Sequence, residues 1–340
     1  MNTQKRTEEI ERTITAFTRD SYHKSELLPE LLKLQSEVVN LTFNEQHADN
    51  ANLRLYDVSK HFEQLNKKCE NACEKELLAF EKSSKNVCNL IKAEISGQKG
   101  EAYTFKALED LICNNLVLKN IELENGGNRS ELDAIVITEK GVFIVEVKNT
   151  HKNVLINKAG KYYHSGTWTS FDCHLKEKMN IKESLLRNTF ENAGINNVPI
   201  FKLVAFTCGT IEVQNYCEEL TTTFASNLIY FIEFCDSPKT LKKEEMANIF
   251  EIINNAKCSE YYGVPEEIIE FKKNYAELIV KLESINKKQE NSAETPSKEN
   301  KAIKNIKKFL RVIENNKQIQ AAASGLAITI VSAIVFRKIS

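Results

Sequence analysis

The stretch ELDAIVITEKGVFIVEVKN (residues 131–149) decides the fold class of this chain. It reads as two β-rich runs around a turn containing Gly141. In the second run Val142, Phe143, Ile144 and Val145 are apolar on both faces, as in a strand buried in the middle of a sheet. Alternation then sends Glu146 and Lys148 to one face and Val145 and Val147 to the other. Charged side chains at the end of such a strand cost several kcal/mol unless they are paired or bind a metal. A two- or four-residue loop centred on Glu139–Lys140 places Asp133 opposite Glu146, with Cβ atoms roughly 5 Å apart. A three-residue loop with a bulge at Gly141 puts the two acids on opposite faces. In the first register the carboxylates repel or share a proton unless a cation sits between them.

Working outward, GQKGEAYTFKALEDLICNN (97–115) reads as a helix with Phe105, Leu108 and Ile112 on one stripe. Glu101 shares that stripe, so its carboxylate points towards the strands. Downstream, VLINKAGKYYHSGTW suggests a hairpin turning at Gly160, and Cys173 to Asn192 a helix. VPIFKLVAFT and NLIYFIEFC (227–235) read as strands, followed by a helix from Leu241 to Asn255 capped by Thr240. Helices alternating with strands describe a layered α/β domain. Residues 266–286 are helical again.

Residues 1–95 read as helical throughout. The longest candidate runs from Asn52 to Ile95, with an apolar stripe through Val58, Phe62, Leu65 and Cys69. It resumes at Leu77, Phe80, Ser84, Val87 and Ile91, and Cys73 inserts a stutter between the two halves. Such a helix is either a coiled-coil or hairpin spacer that sets oligomeric state, or an amphipathic helix packed on its own chain. Cys69 and Cys73 lack a Cys-x-x-Cys neighbour or a His pair, so their spacing reads as packing rather than zinc. Residues 286–317 form a polar and then basic linker containing Lys301, Lys304, Lys307, Lys308, Arg311 and Lys317. Ile319 to Phe336 carries no charge and meets the lower length limit for a membrane-spanning helix, placed here at 318–336. The richer basic flank precedes it, which assigns the body to the cytoplasmic side.

Of 340 residues, 46 are Lys or Arg and 47 are Asp or Glu, so any nucleic-acid contact must come from a local patch. An apolar content of 42% excludes global disorder. The nine scattered cysteines and an N-terminus without an apolar leader argue for reduced thiols and against secretion.

Glu101, Asp133, Glu146 and Lys148 together describe an oxygen-rich anionic site of the kind that hard divalent cations, Mg²⁺ or Mn²⁺, prefer. The order Gly97-x-x-Gly100-Glu101, Asp133 and Glu146-x-Lys148 resembles the nuclease-related domain (NERD) family of the PD-(D/E)XK nuclease superfamily. The likeness covers about residues 96–210. It implies a restriction-endonuclease-like mixed sheet flanked by helices, with the domain running from 96 to 285. It further implies that Asp133 and Glu146 are metal ligands, with Glu101 as the helix-borne acid and Lys148 as the catalytic lysine. The family usually carries a glutamine on the helix after the core strands; here that helix offers Glu177, Lys176 or Lys178. Lys152, Lys158, Lys161 and Lys178 are candidate phosphate contacts. Tyr162, Tyr163 and Trp168 are candidate base-stacking or packing residues, and His151, His164 and His174 read as surface residues.

The leading expectation is a metal-dependent nuclease acting on DNA in preference to RNA. It would be tethered to the cytoplasmic face of a membrane, oligomeric through its helical region, and suited to restricting foreign DNA. The alternative is a catalytically idle nucleic-acid-binding or membrane scaffold.

Overall fold

Helical periodicity gives way to strand alternation at residue 115 and returns three times. The computed structural model describes residues 21–43, 53–164, 173–258 and 261–292. The N-terminal elements are β1 (Ser21–His23), α1 (Lys24–Phe43), α2 (Leu55–Lys68) and α3 (Glu74–Leu108). Six strands follow: β2 (Asn115–Asn125), β3 (Asn128–Thr138), β4 (Gly141–Lys148), β5 (Val154–Ile156), β6 (Lys161–His164) and β7 (Cys173–His174). Next come α4 (Leu175–Asn192), β8 (Ile200–Phe206), β9 (Val213–Asn215) and β10 (Thr221–Phe224). The chain continues through α5 (Leu228–Phe234), α6 (Lys243–Ala256), β11 (Tyr261–Gly263) and α7 (Glu266–Ser292).

These elements divide into two units. One holds the described residues up to Glu94 and from Tyr261 onward; the other is Ile95–Glu260. Residues 261–285, expected with the α/β domain, therefore belong to the helical unit, and α7 continues to Ser292, into the stretch expected as linker.

In the helical unit the apolar stripe of α2 and the first half of α3 is buried as its spacing predicts, Ser84 included. Its partner is its own chain. Phe80 packs on Phe271 and Tyr275 of α7, with ring centroids 5.6 Å away in both pairs, and Phe62 meets Phe80 edge-on at 5.5 Å. The helix expected to run unbroken from Asn52 is interrupted at residues 69–73. There Glu70 and Asn71 adopt positive φ, and the Asn66 side-chain oxygen accepts the Cys73 N–H at 2.8 Å. The heptad stutter is thus a turn between two helices.

In the α/β unit the main sheet has the order β10-β8-β4-β3-β2. β2, β3 and β4 form an antiparallel meander, while β4, β8 and β10 run parallel, so the sheet is mixed. β4 lies at its centre and is buried from Gly141 to Glu146, as its two-faced apolar run requires. A smaller sheet has the order β7-β6-β5-β9. Helices cover both faces of the main sheet. Val142, Ile144, Ile135 and Ile137 pack with residues of α4 and α6, including Met179, Leu186 and Ile249. Phe143, Val145, Ala134 and Val136 pack with Leu108 of α3 and with Leu228 and Ile232 of α5.

Four local features differ from expectation. β2 was not foreseen. NLIYFIEFC forms α5 rather than a strand; a short, mostly apolar run is too brief for its period to separate the two. α6 starts at Lys243, where the Lys242 N–H donates to Glu245 Oε2 at 2.8 Å, so Thr240 is not its cap. Ile112, expected on the buried helical stripe, lies past the end of α3 and is 89% exposed. Among the described residues no helix is long and apolar enough to cross a membrane. The segment 318–336 lies outside the described residues.

Candidate active site

The turn between β3 and β4 is the two-residue Glu139–Lys140 loop, with Thr138 opposite Gly141 and Ala134 opposite Val145. One step further in this register, Asp133 faces Glu146, and the bulged alternative is not adopted. The paired ladder stops there. Asp133 Oδ2 takes over as acceptor for the Val147 N–H, at 2.7 Å. This bond turns the Asp133 carboxylate towards β4 instead of solvent.

Glu146 is 6% exposed and holds one ammonium on each oxygen. Lys148 Nζ donates to Oε1 at 2.6 Å, and Lys182 Nζ donates to Oε2. Lys182 also lies 3.6 Å from Asp133 Oδ1, so it stands between the two acids. Burial pushes the Glu146 carboxyl upward, but Lys148 and Lys182 outweigh it and hold the group below the usual carboxylate range. Asp133 moves the other way: burial and the neighbouring Glu146 charge raise it above its ordinary value, against the pull of Lys182. For Lys148, burial lowers the ammonium, yet its contact with Glu146 and the Asp133 charge raise it overall. It is therefore a fixed cation at neutral pH.

Lys182 is the residue that motif reading missed. Glu177 and Lys178 are exposed, and Lys176 pairs with Glu219 at 2.6 Å. The signal was helical spacing: Leu175, Met179, Lys182, Leu185, Leu186 and Phe190 form the buried face of α4. A lysine in that row must find an anion inside the fold.

Glu101 is not part of a three-acid cluster. It lies two turns from the C-terminal end of α3, half-buried, and accepts a hydrogen bond from Asn120 Nδ2 at 3.2 Å. Asn120 sits on β2 opposite Asp133 in the register and has φ +51°, a left-handed backbone that interrupts the ladder. Asn120 Oδ1 is buried without a hydrogen-bond partner, as is Thr104 Oγ1 on α3. Among the described residues no group of three or more His, Cys, Asp or Glu side chains could hold a metal ion. The expected three-acid cluster of Glu101 with Asp133 and Glu146 is thus replaced by a buried acid pair and a helix-borne acid bonded to Asn120 of β2.

The glycine before Glu101 has a steric role. A Cβ on Gly100 would lie 2.7 Å from the Asn149 Cβ, so only glycine lets α3 approach the end of β4 this closely. Asn149 completes the junction. Its Nδ2 donates to the Ser96 carbonyl at 2.8 Å, and its Oδ1 accepts from the Thr207 hydroxyl at 2.7 Å.

Of the outer candidates, Lys152, Lys158 and Lys178 are exposed and Lys161 is half-buried. Tyr162 is 4% exposed, its hydroxyl 2.9 Å from His164 Nε2, so it packs inside the fold and cannot stack on a base. His164 is accordingly engaged rather than a free surface residue. Trp168 lies outside the described residues. A cavity of about 450 Å³ adjoins α4 beside Asn125, Asn128, Asn180 and Ser184, but none of Asp133, Glu146, Lys148 and Lys182 lines it.

Residues 96–207 match the family model of the nuclease-related domain, so this segment, about a third of the chain, is similar to that domain. Comparisons with curated proteins and with solved structures returned no match.

Proposed function

We propose that the α/β unit is a metal-dependent nuclease that hydrolyses phosphodiester bonds, with DNA as the favoured substrate. The observation that carries this reading is the buried Asp133–Glu146 pair, on neighbouring antiparallel strands where their ladder ends, with Lys148 on the same face as Glu146. The donor set fits a hard divalent ion. It consists of carboxylate oxygens on facing strands, and burial together with the Glu146 charge raises Asp133, a cost that a cation between the two acids lowers. Asp133 and Glu146 would hold Mg²⁺ or Mn²⁺, which would polarise the scissile phosphate and lower the pKa of a bound water. Glu101 lies outside this pair and orders the β2 edge of the site through Asn120.

Lys148 serves as a cation. Held as an ammonium by its contact with Glu146, it is placed to neutralise charge on the phosphoryl oxygens. Exposed Lys152, Lys158 and Lys178 are suited to hold the flanking phosphates. A catalytically idle nucleic-acid-binding scaffold is the second reading. One observation favours it: Lys182 already supplies a cation to both acids.

Incubating the purified full-length chain with plasmid and linear DNA, with and without Mn²⁺, separates the two. Metal-dependent cleavage that falls by about 10²–10³ in Lys148→Ala is the expected result, the loss typical of removing one preorganised charge stabiliser. Salt-sensitive DNA binding without cleavage under any metal condition would select the scaffold.

We further propose that residues 318–336 tether the body to the cytoplasmic face of a membrane, where foreign DNA is accessible. The uncharged run and the basic residues preceding it support this. Deleting 319–340 should move the protein from the membrane pellet to the soluble fraction with cleavage intact. A deletion variant that aggregates would mean the segment is part of a folded core.

A further inference from the structure

Lys182 sits at a core-facing position of α4 and is 5% exposed. An ammonium buried to that degree persists only where anions match it. Asp133 and Glu146 do so, with Lys182 Nζ on Glu146 Oε2 and 3.6 Å from Asp133 Oδ1. The other two oxygens of the pair are committed elsewhere, Glu146 Oε1 to Lys148 and Asp133 Oδ2 to the Val147 N–H. The oxygens that remain for an incoming ion are therefore the two that Lys182 occupies. An ammonium and a divalent ion repel each other and cannot share one pair of oxygens at contact distance.

On the reading that this pair takes a divalent ion, we propose that Lys182 is the built-in counter-cation of the acid pair, and that the metal binds by displacing it. With Lys182 in place, two carboxylates face two lysines and the site is close to neutral. Exchange of the lysine for a divalent ion leaves the site net positive, which favours an arriving phosphodiester. The displaced ammonium then gains the same phosphate as its partner. Metal loading and substrate binding thereby reinforce each other. Lys182 is a positioning residue in this scheme: it keeps the two acids assembled while no metal is bound.

The test uses the full-length chain and Mn²⁺ alone, with no nucleic acid. Calorimetric titration should show Mn²⁺ binding roughly tenfold or more tighter to Lys182→Gln than to the wild type, because the competing cation is gone. A second measurement needs no variant. Acylation of Lys182 by an amine-reactive reagent, read by mass spectrometry, should be slow in metal-free wild-type protein and rise when Mn²⁺ saturates the site. Equal Mn²⁺ affinities in the two proteins, or a Lys182 that stays protected at saturating Mn²⁺, overturn the displacement proposal and leave the metal-dependent reading standing. If neither protein binds Mn²⁺, the metal-dependent reading itself fails and this proposal with it. Should Lys182→Gln not fold, the labelling of the wild type decides alone.

Discussion

Glu146→Gln is expected to abolish cleavage while DNA binding is retained or tightened. The glutamine keeps the shape of the side chain but removes the charge that would hold a divalent ion, so the loss should reach or exceed the ~10²–10³ of a single preorganised electrostatic contact. Binding moves in the opposite direction because Lys148 and Lys182 both lose their closest anion and become available to phosphate. Stability should drop as well. Removing one partner of a buried ion pair costs about 3–5 kcal/mol, and the lower end applies here because Lys182 keeps Asp133 at 3.6 Å. The pH dependence gives an independent check. Glu146 is depressed in the folded state, so its charge stabilises the fold above its unfolded value, near pH ~4, and that contribution is lost as the pH falls through the folded value. The gap in thermal midpoint between wild type and Glu146→Gln should therefore be widest at neutral pH and shrink below pH ~4. A variant that loses DNA binding and cleavage in equal measure would point to a fold defect, and one that cleaves normally would remove Glu146 from the site.

Gly141→Val should prevent the α/β unit from folding stably. Gly141 has φ +138°, a backbone conformation that a β-branched residue rarely adopts, costing about 1–3 kcal/mol. Its added Cβ would also lie 2.5 Å from the Pro199 carbonyl oxygen and 2.9 Å from the Pro199 Cβ. The carbonyl cannot retreat, since it accepts the Val142 N–H at 2.9 Å where β4 begins to pair with β8. Overpacking against backbone adds roughly 1–3 kcal/mol, and the sum approaches the whole stability of a small domain. Urea unfolding of the purified protein should show the transition of this unit shifted to much lower denaturant or absent. A variant with an unchanged midpoint would mean that the turn is not held as described.

The hairpin that organises this protein was legible because its constraints are local. A two-residue turn and strict alternation place Asp133 opposite Glu146 and Lys148 beside it, whatever packs on the sheet. The apolar stripes of α2 and α3 were legible for the same reason: period alone identifies a buried face. β2 was harder, although the Gly126–Gly127 turn that joins it to β3 is a strong hairpin signal. Its left-handed Asn120 breaks the regularity of the strand at the position facing Asp133.

Period does not say what a buried face meets. The α2–α3 stripe fits a second copy of the chain as well as it fits α7, and only the packed rings of Phe271 and Tyr275 decide between them. Glu101 shows the same limit. Its helical stripe points it at the strands, but the closing partner is Asn120, on a strand the sequence did not reveal. Lys182 is the clearest case. The sequence by itself determined that a lysine lies at helical spacing with Leu175, Met179 and Leu186, and that Asp133 and Glu146, 49 and 36 residues earlier in the chain, face each other if the turn between them has two residues. Only the tertiary structure decided that α4 crosses the sheet where β3 and β4 part, because that placement depends on how Met179, Leu185 and Leu186 fill the space above Ile135 and Ile144. Side-chain packing of this kind acts between residues far apart in sequence, and it sets the cation in the acid pair.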